Sequence, residues 1–234
     1  MTLEIPYRFH GPPGMGHGGY VAGLFTDLVP GALQVTLRRP TPLDVALEIV
    51  DLGDGRFELR HGDDVIAEAE PATLTIDPPT PPTADDARAS EADSPARYNG
   101  TGVHPTCFGC ALGREPGDAL RVAAGPVGDQ VAAVWHPGDA WAEPDGTVRA
   151  QWVLAALDCP GAFAYIVGER PAGLLGRIVF EQFAPVAADA DHVVTGWRIG
   201  EDGRKLLAGT ALFSPTGSLL AAAKATWFPW TPRS

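Results

Sequence analysis

Apolar residues recur at helical spacing in two parts of the chain. The segment GGYVAGLFTDLV, residues 18–29, places four apolar side chains on one face of a predicted helix that Pro30 would end. The segment TVRAQWVLAALD, residues 147–158, predicts a second helix, which would continue towards Tyr165 with a break at Pro160. These are the only two long helices that the pattern predicts.

Short segments of alternating apolar and polar residues follow each predicted helix. They are separated by turn-forming residues, and no helical pattern comes between them, which favours antiparallel meanders over parallel units. The predicted strands of the first half are 32–39, 44–51, 55–62 and 64–76. The predicted strands of the second half are a hairpin over 120–137 and four more over 176–185, 191–200, 204–215 and 218–228.

Residues 79–100 interrupt the pattern, because proline, alanine and acidic residues dominate there and apolar residues are nearly absent. This composition predicts an extended linker between an N-terminal unit, residues 1–78, and a C-terminal unit, residues 101–234. Each unit has a helix followed by similar strands, so we expect an internal duplication; a chance match of two ordinary runs is the alternative.

The formal net charge of −12 disfavours nucleic acid and anionic membranes as partners. An anionic substrate would need a local cluster of basic residues. No apolar stretch is long and unbroken enough to span a bilayer. Three cysteines and no recognisable secretory signal predict free thiols and a cytoplasmic location.

The sequence GMGHGG satisfies the pattern G-x-G-x-x-G, with Gly14, Gly16 and Gly19 in the glycine positions. A dinucleotide-binding loop needs a buried strand before it and a βαβ unit around it, whereas here prolines precede it and a meander follows. Arginines at the end of the next strand, Arg38 and Arg39, would be its only support. Alternatively, glycines at a helix start leave amides free to polarise a carbonyl, or simply allow close packing.

Two segments carry a family resemblance. Residues 15–29, MGHGGYVAGLFTDLV, resemble the helix start of hotdog-fold acyl-CoA thioesterases of the phenylacetyl-CoA type and of the acyl-CoA thioesterase II group. Residues 104–122, HPTCFGCALGREPGDALRV, resemble the opening strand of single-domain hotdog thioesterases. The resemblance implies an α+β double hotdog: two antiparallel sheets joined edge to edge, each around one long helix. Such a chain would be a monomeric pseudo-dimer or a homodimer.

The resemblance implies catalytic and binding residues. Asp158 matches the aspartate that activates water in the acyl-CoA thioesterase II group, and Asp27 and Gln151 are further catalytic candidates. The amides of Gly18 and Gly19, with His17, would bind the thioester. The positions that match that group's threonine and glutamine instead hold Ile199 or Gly200 and Lys224 or Ala225.

A metal site is the other chemistry that the cysteines suggest. Cys107 and Cys110 form a C-x-x-C pair, and His104 and Cys159 could complete a tetrahedral zinc site. No second close-spaced pair exists, and the resemblance explains the segment as a strand start, so we predict no metal. We also predict no cofactor beyond the CoA that forms part of the substrate.

The sequence therefore predicts a protein that hydrolyses an acyl-CoA or acyl-carrier thioester. The alternative is a non-catalytic acyl-CoA or fatty-acyl binding protein with the same fold. If Asp158 is buried and faces Gly18 and Gly19, hydrolysis is favoured, because burial makes a carboxylate a better base near neutrality. If Asp158 is exposed to water after its helix, binding alone is favoured.

Overall fold

A computed structural model describes residues 1–97, 104–168, 170–171 and 173–229. Apart from the first strand, which was not predicted, its strands lie close to those that the alternating pattern predicts. They are β1 (Thr2–Glu4), β2 (Leu33–Leu37), β3 (Ala46–Gly53), β4 (Arg56–His61), β5 (Asp64–Pro71), β6 (Gly125–Val127), β7 (Gln130–Trp135), β8 (Gly173–Gln182), β9 (His192–Asp202), β10 (Lys205–Phe213) and β11 (Leu219–Pro229).

The helices are short. They are α1 (Gly18–Gly23), α2 (Ala84–Ser90), α3 (Ala150–Ala156) and α4 (Asp158–Ile166). Single 3₁₀ turns lie at Tyr7–Phe9, Glu91–Asp93, Pro95–Arg97 and Asp139–Trp141.

The strands form one antiparallel sheet in the order β1-β3-β4-β5-β2-β8-β11-β10-β9-β7-β6. The halves meet where β2 pairs with β8, with Val35 opposite Ile178 and Thr36 opposite Arg177. The strand order is the same on both sides of this junction. Going outward, the first half has β2, β5, β4 and β3, and the second half has β8, β11, β10 and β9. The two predicted sheets, joined edge to edge, are one continuous sheet in the structure. The internal duplication stays a prediction.

The prediction of one long helix in each half is corrected by the structure, in which these helices are shorter. Helix α1 ends at Gly23, and the next residues form tighter turns in which N–H groups donate to the carbonyl oxygens three residues earlier; the Thr26 hydroxyl also donates to the Gly23 carbonyl oxygen (2.8 Å). In the second half the helix breaks at Leu157, between α3 and α4. Pro160 explains this position, because it has no N–H to donate to the Ala156 carbonyl four residues earlier, yet it fits within the first turn of α4.

Helices α1 and α3 pack against each other in opposite directions through two glycines. A Cβ atom built on Gly19 would lie 2.6 Å from the Asp158 Cβ and 3.0 Å from the Ala155 Cα. A Cβ on Gly23 would lie 2.8 Å from the Gln151 carbonyl oxygen. The glycines are four residues apart, so both lie on the face of α1 that contacts α3. This crossing brings the start of α1 next to Asp158.

The predicted linker, 79–100, is not extended throughout. Thr83 caps α2 by accepting a hydrogen bond from the Asp86 N–H (3.1 Å), and Ala87 is fully buried against the sheet. The segment covers the sheet of the second half on the face opposite α4, where Ala132, Ala211 and Ala222 belong to a second apolar cluster. Strands in this half are therefore buried on both faces. The predicted domain boundary remains untested.

Replacing Gly125 with Ala should displace this segment from the sheet. A Cβ at this position would lie 1.7 Å from the Ser90 carbonyl oxygen, so the backbone must move. We expect the free energy of unfolding to fall by about 1–3 kcal/mol, as overpacking typically causes. Denaturant unfolding would measure this. Gly200→Ala is the matched control, since nothing lies within 4 Å of its built Cβ, and an equal loss there would contradict the argument.

Candidate active site

A cavity of about 680 Å³ lies at the junction of the two halves. The first half contributes the loop before α1 and the end of β2, and the second half contributes α4 and parts of β8, β10 and β11. Much of the wall is apolar, with Phe163, Leu207 and Trp227 among its residues. The cavity can therefore hold an apolar group against both halves of the chain at once.

Asp158 lies in the wall of this cavity and is only 3% exposed. Its Oδ2 atom accepts a hydrogen bond from the Gly19 N–H (2.7 Å) and lies 3.3 Å from His17 Nε2. Its Oδ1 atom is buried and has no hydrogen-bond partner among the described residues. Burial raises the pKa of the Asp158 carboxyl, although the His17 ring and the Gly19 N–H favour its charged form.

His17 is the N-cap of α1 and is buried. Its Nδ1 atom accepts a hydrogen bond from the Tyr20 N–H (3.2 Å), so in the neutral ring the proton lies on Nε2. Burial opposes a charge on the ring, but the negative charges of Asp158 and Cys107 act more strongly together and raise the pKa of His17. The ring therefore forms part of the same buried polar group as Asp158.

All three cysteines adjoin this group. Cys159 Sγ lies 3.5 Å from His17 Nε2 and 3.8 Å from Cys107 Sγ. Hydrogen bonds from the Cys110 and Cys159 thiols lower the pKa of Cys107 well below its usual range. The same contacts raise the pKa values of Cys110 and Cys159. Cys107, Cys110 and Cys159 also line the cavity.

The structure brings together Asp158, His17, Gly18 and Gly19, as the sequence predicts, and Gly18 lines the same cavity. It does not bring Gln151 to this place. Gln151 packs where α3 crosses Gly23.

Asp27 lies at the opposite end of the α1–α3 crossing. It is exposed and forms an ion pair with Arg149, the N-cap of α3. Each helix start in the crossing thus lies near an aspartate, but the two ends differ. One pair is the buried Gly19 and Asp158, and the other is the exposed Arg149 and Asp27.

The glycine motif does not form a dinucleotide-binding loop. The chain enters it from the 3₁₀ turn Tyr7–Phe9, and the strands that follow over residues 33–71 are antiparallel, without the βαβ unit that such a loop requires. Gly14 has a φ of +76°, which suits glycine, and Gly16 donates its N–H to the Thr41 carbonyl oxygen (2.9 Å). The motif instead turns the chain into α1.

Four basic side chains of the cavity were missing from the predicted site. They are Arg38, Arg39, Arg177 and Lys205. Arg38 and Arg39 are about half exposed and so lie at the solvent side of the cavity, whereas Asp158 lies at its buried side. In the sequence, the adjacent Arg38 and Arg39 were considered only as support for a dinucleotide-binding loop. Arg38, Arg39 and Lys205 form ion pairs with Glu68, Asp64 and Asp202, whereas Arg177 forms no ion pair with a described residue.

Solved structures from three bacteria share this architecture. The tesB protein of Mycobacterium avium subspecies paratuberculosis is 17% identical, with a TM-score of 0.64 over 98% of this chain and 92% of its own. A thioesterase candidate from Novosphingobium aromaticivorans is 14% identical, with a TM-score of 0.63 over 98% of this chain and 95% of its own.

The third structure decides the fold. A protein of unknown function with a hotdog fold from Alicyclobacillus acidocaldarius is 14% identical, with a TM-score of 0.63 over 99% of this chain and 93% of its own. This chain has the hotdog fold. No protein-family model and no curated protein matches the hotdog chain described here. Within its described part, none of its helices has the length and apolar character needed to cross a membrane.

Proposed function

We propose that this hotdog protein hydrolyses an acyl thioester bound in the junction cavity. The observation that carries the proposal is the buried Asp158 carboxylate, held by the Gly19 N–H in a cavity with an apolar wall and basic side chains at its solvent side. An acyl-CoA has matching chemistry, because its acyl chain is apolar and its nucleotide part carries phosphates. The fold likeness to thioesterases agrees with this substrate class.

In the proposed reaction Asp158 acts as a general base. Its Oδ1 atom, which has no partner among the described residues, takes a proton from water while that water attacks the thioester carbonyl. The carbon–sulfur bond then breaks, and the proton passes to the departing thiolate, so that water and thioester become a carboxylic acid and a thiol. The raised pKa of the buried carboxyl makes it a stronger base than an exposed aspartate.

The oxyanion would be stabilised by fewer amides than the sequence suggested. The Gly19 N–H donates to Asp158 and is not free for substrate. The Gly18 N–H forms no hydrogen bond to a described residue, and Gly18 lines the cavity, so it is the remaining amide donor. In this proposal Gly19 positions the base and Gly18 binds the carbonyl oxygen.

The competing proposal is acyl-thioester binding without hydrolysis. It is favoured by the absence of threonine and glutamine at the positions that the resemblance assigns to them. Thiol release should be measured with acyl-CoAs of different chain length and aromaticity, beside the corresponding acyl-pantetheines. Hydrolysis of any of these supports the first proposal, whereas saturable binding without thiol release from a folded protein supports the second.

Replacing Arg177 with Ala should weaken recognition of the nucleotide part. Arg177 is exposed in the cavity and donates to the Thr36 hydroxyl (3.1 Å), and it forms no ion pair with a described residue. A charge contact of about 1 kcal/mol predicts a KM for acyl-CoA about fivefold higher, with kcat unchanged. The acyl-pantetheine KM should not change. Arg56→Ala on β4, outside the cavity, is the control; if it matches Arg177→Ala, the contact is not specific.

A further inference from the structure

Two sulfur atoms and one imidazole nitrogen meet at the buried side of the cavity, and the sulfur of Cys110 lies nearby. The ligand atoms of His17, Cys107 and Cys159 all lie within 4.8 Å of one another. The Cys110 thiol lies close enough to the Cys107 and Cys159 thiols to shift its pKa, but it is not part of this group. Hydrogen bonds between thiols are weak, so this contact alone gives little reason for burying four such groups together.

The distances match those between ligands on a tetrahedral zinc ion. Bond lengths of about 2.3 Å to sulfur and about 2.0–2.1 Å to nitrogen require about 3.8 Å between two sulfurs and about 3.5 Å between sulfur and nitrogen. The Cys107–Cys159 sulfurs are 3.8 Å apart, and His17 Nε2 is 3.5 Å from Cys159 Sγ. Two edges of the tetrahedron therefore agree with the expected values.

Gly109 keeps the space beside these atoms open. A Cβ built on it would lie 2.5 Å from His17 Nε2 and 2.9 Å from Cys159 Sγ. Any side chain larger than that of glycine at position 109 would therefore lie against the ligand atoms. Because Cys107 and Cys110 line the cavity, an ion can also reach the site from solvent.

We propose that His17, Cys107 and Cys159, joined by Cys110 after a movement of its side chain, bind one zinc ion as a closed, structural site. Soft thiolates with one imidazole favour Zn²⁺ over hard cations, and four protein ligands leave no open position for water. The site would join the start of α1 in the first half to the C-x-x-C segment and α4 in the second. This proposal revises the sequence prediction of no metal, and replaces His104 with His17 as the histidine ligand.

Zinc binding requires a change at His17 that can be observed. The metal would take the Nε2 position, so the proton of the neutral ring would move to Nδ1. A protonated Nδ1 cannot accept a hydrogen bond, so the 3.2 Å bond from the Tyr20 N–H, which is already long, would be lost. The bond from the Gly19 N–H to Asp158 does not involve the ring and would remain. The proposal does not depend on thioester hydrolysis.

The first test measures metal on the full chain. Reduced protein is stripped with a chelator, supplied with Zn²⁺ or Co²⁺ alone, and desalted. We expect about one zinc per chain, a higher unfolding temperature with zinc, and cobalt spectra with thiolate charge-transfer bands and the strong visible bands typical of tetrahedral Co²⁺. A reduced chain that binds no zinc, or that binds cobalt without thiolate bands, would overturn the proposal.

The second test uses matched variants, with circular dichroism to show that each folds. Cys110→Ser and Cys159→Ser should weaken zinc binding by more than the 10–100-fold typical of losing a supporting residue. His17→Gln should also weaken it, whereas His104→Gln should not. Loss of zinc in His104→Gln but not in His17→Gln would disprove the ligand set. If a cysteine variant fails to fold, the wild type still tests the proposal: a chelator should lower its unfolding temperature, and no change would contradict a bound structural zinc.

Discussion

Asp158→Asn will lower kcat for thioester hydrolysis about 10²–10⁴-fold, the range expected when a general base is removed. The amide nearly matches the carboxylate in shape and still offers an oxygen to the Gly19 N–H, so the cavity should keep its form. It cannot take a proton from water. The affinity for a non-hydrolysable acyl thioester should therefore stay close to that of the wild type, and thiol release should not.

Asp27→Asn is the matched control, because Asp27 was also a catalytic candidate in the sequence. Its exposed pair with Arg149 contributes about 0–1 kcal/mol, so the change should leave kcat and KM unaltered. If the Asp158 variant retains full turnover, Asp158 is not the base. If both variants lose activity equally, the difference between the two ends of the helix crossing has no catalytic meaning.

Gly19→Ala should lower kcat about 10²-fold, because a displacement of about 1 Å at a reacting group can cost this much. The added methyl would lie 2.6 Å from the Asp158 Cβ and 3.1 Å from the Leu154 carbonyl oxygen, so the base or the helix has to move. Overpacking should also lower the free energy of unfolding by about 1–3 kcal/mol.

Gly23→Ala separates these two effects. Its methyl would lie 2.8 Å from the Gln151 carbonyl oxygen, so it overpacks the same crossing one turn further from Asp158. We expect a similar loss of stability with a much smaller loss of kcat. Denaturant unfolding and steady-state kinetics on both variants give the comparison; if kcat falls equally in the two, the loss follows from the crossing as a whole.

The strands could be predicted from the sequence because their signal is local. In β3, for example, Leu47 and Ile49 alternate with exposed residues, and glycines at 53 and 55 turn the chain. The helix ends could not be predicted in this way. The early end of α1 has no local signal, because apolar residues continue at helical spacing to Leu28, and the break at Leu157 depends on a proline three residues later. The packed helix in residues 79–100 was missed because its small buried face, Ala87 and Ser90, has little hydrophobic signal.

The site was predictable where one segment carried the pattern, as with His17, Gly18 and Gly19. Contacts between distant segments were not predictable, because nothing local records them. His17 and Cys159 are 142 positions apart, and their contact depends on the glycine crossing. For the same reason the local spacing of His104 to Cys107 suggested a different histidine from that of the proposed zinc site, and Gln151 was placed near a base that lies two helical turns away.

The unequal ends of the helix crossing show what a single chain permits. In an assembly of two identical copies, a substitution at one helix start would appear at both. Here the buried His17 and Asp158 can be altered without touching Arg149 and Asp27, and the reverse also holds. One end can therefore give up stability for reactive buried groups, while the other keeps an ordinary solvated ion pair. In mutational scanning, substitutions at His17 and Asp158 should therefore lower activity, whereas substitutions at Arg149 and Asp27 should be tolerated.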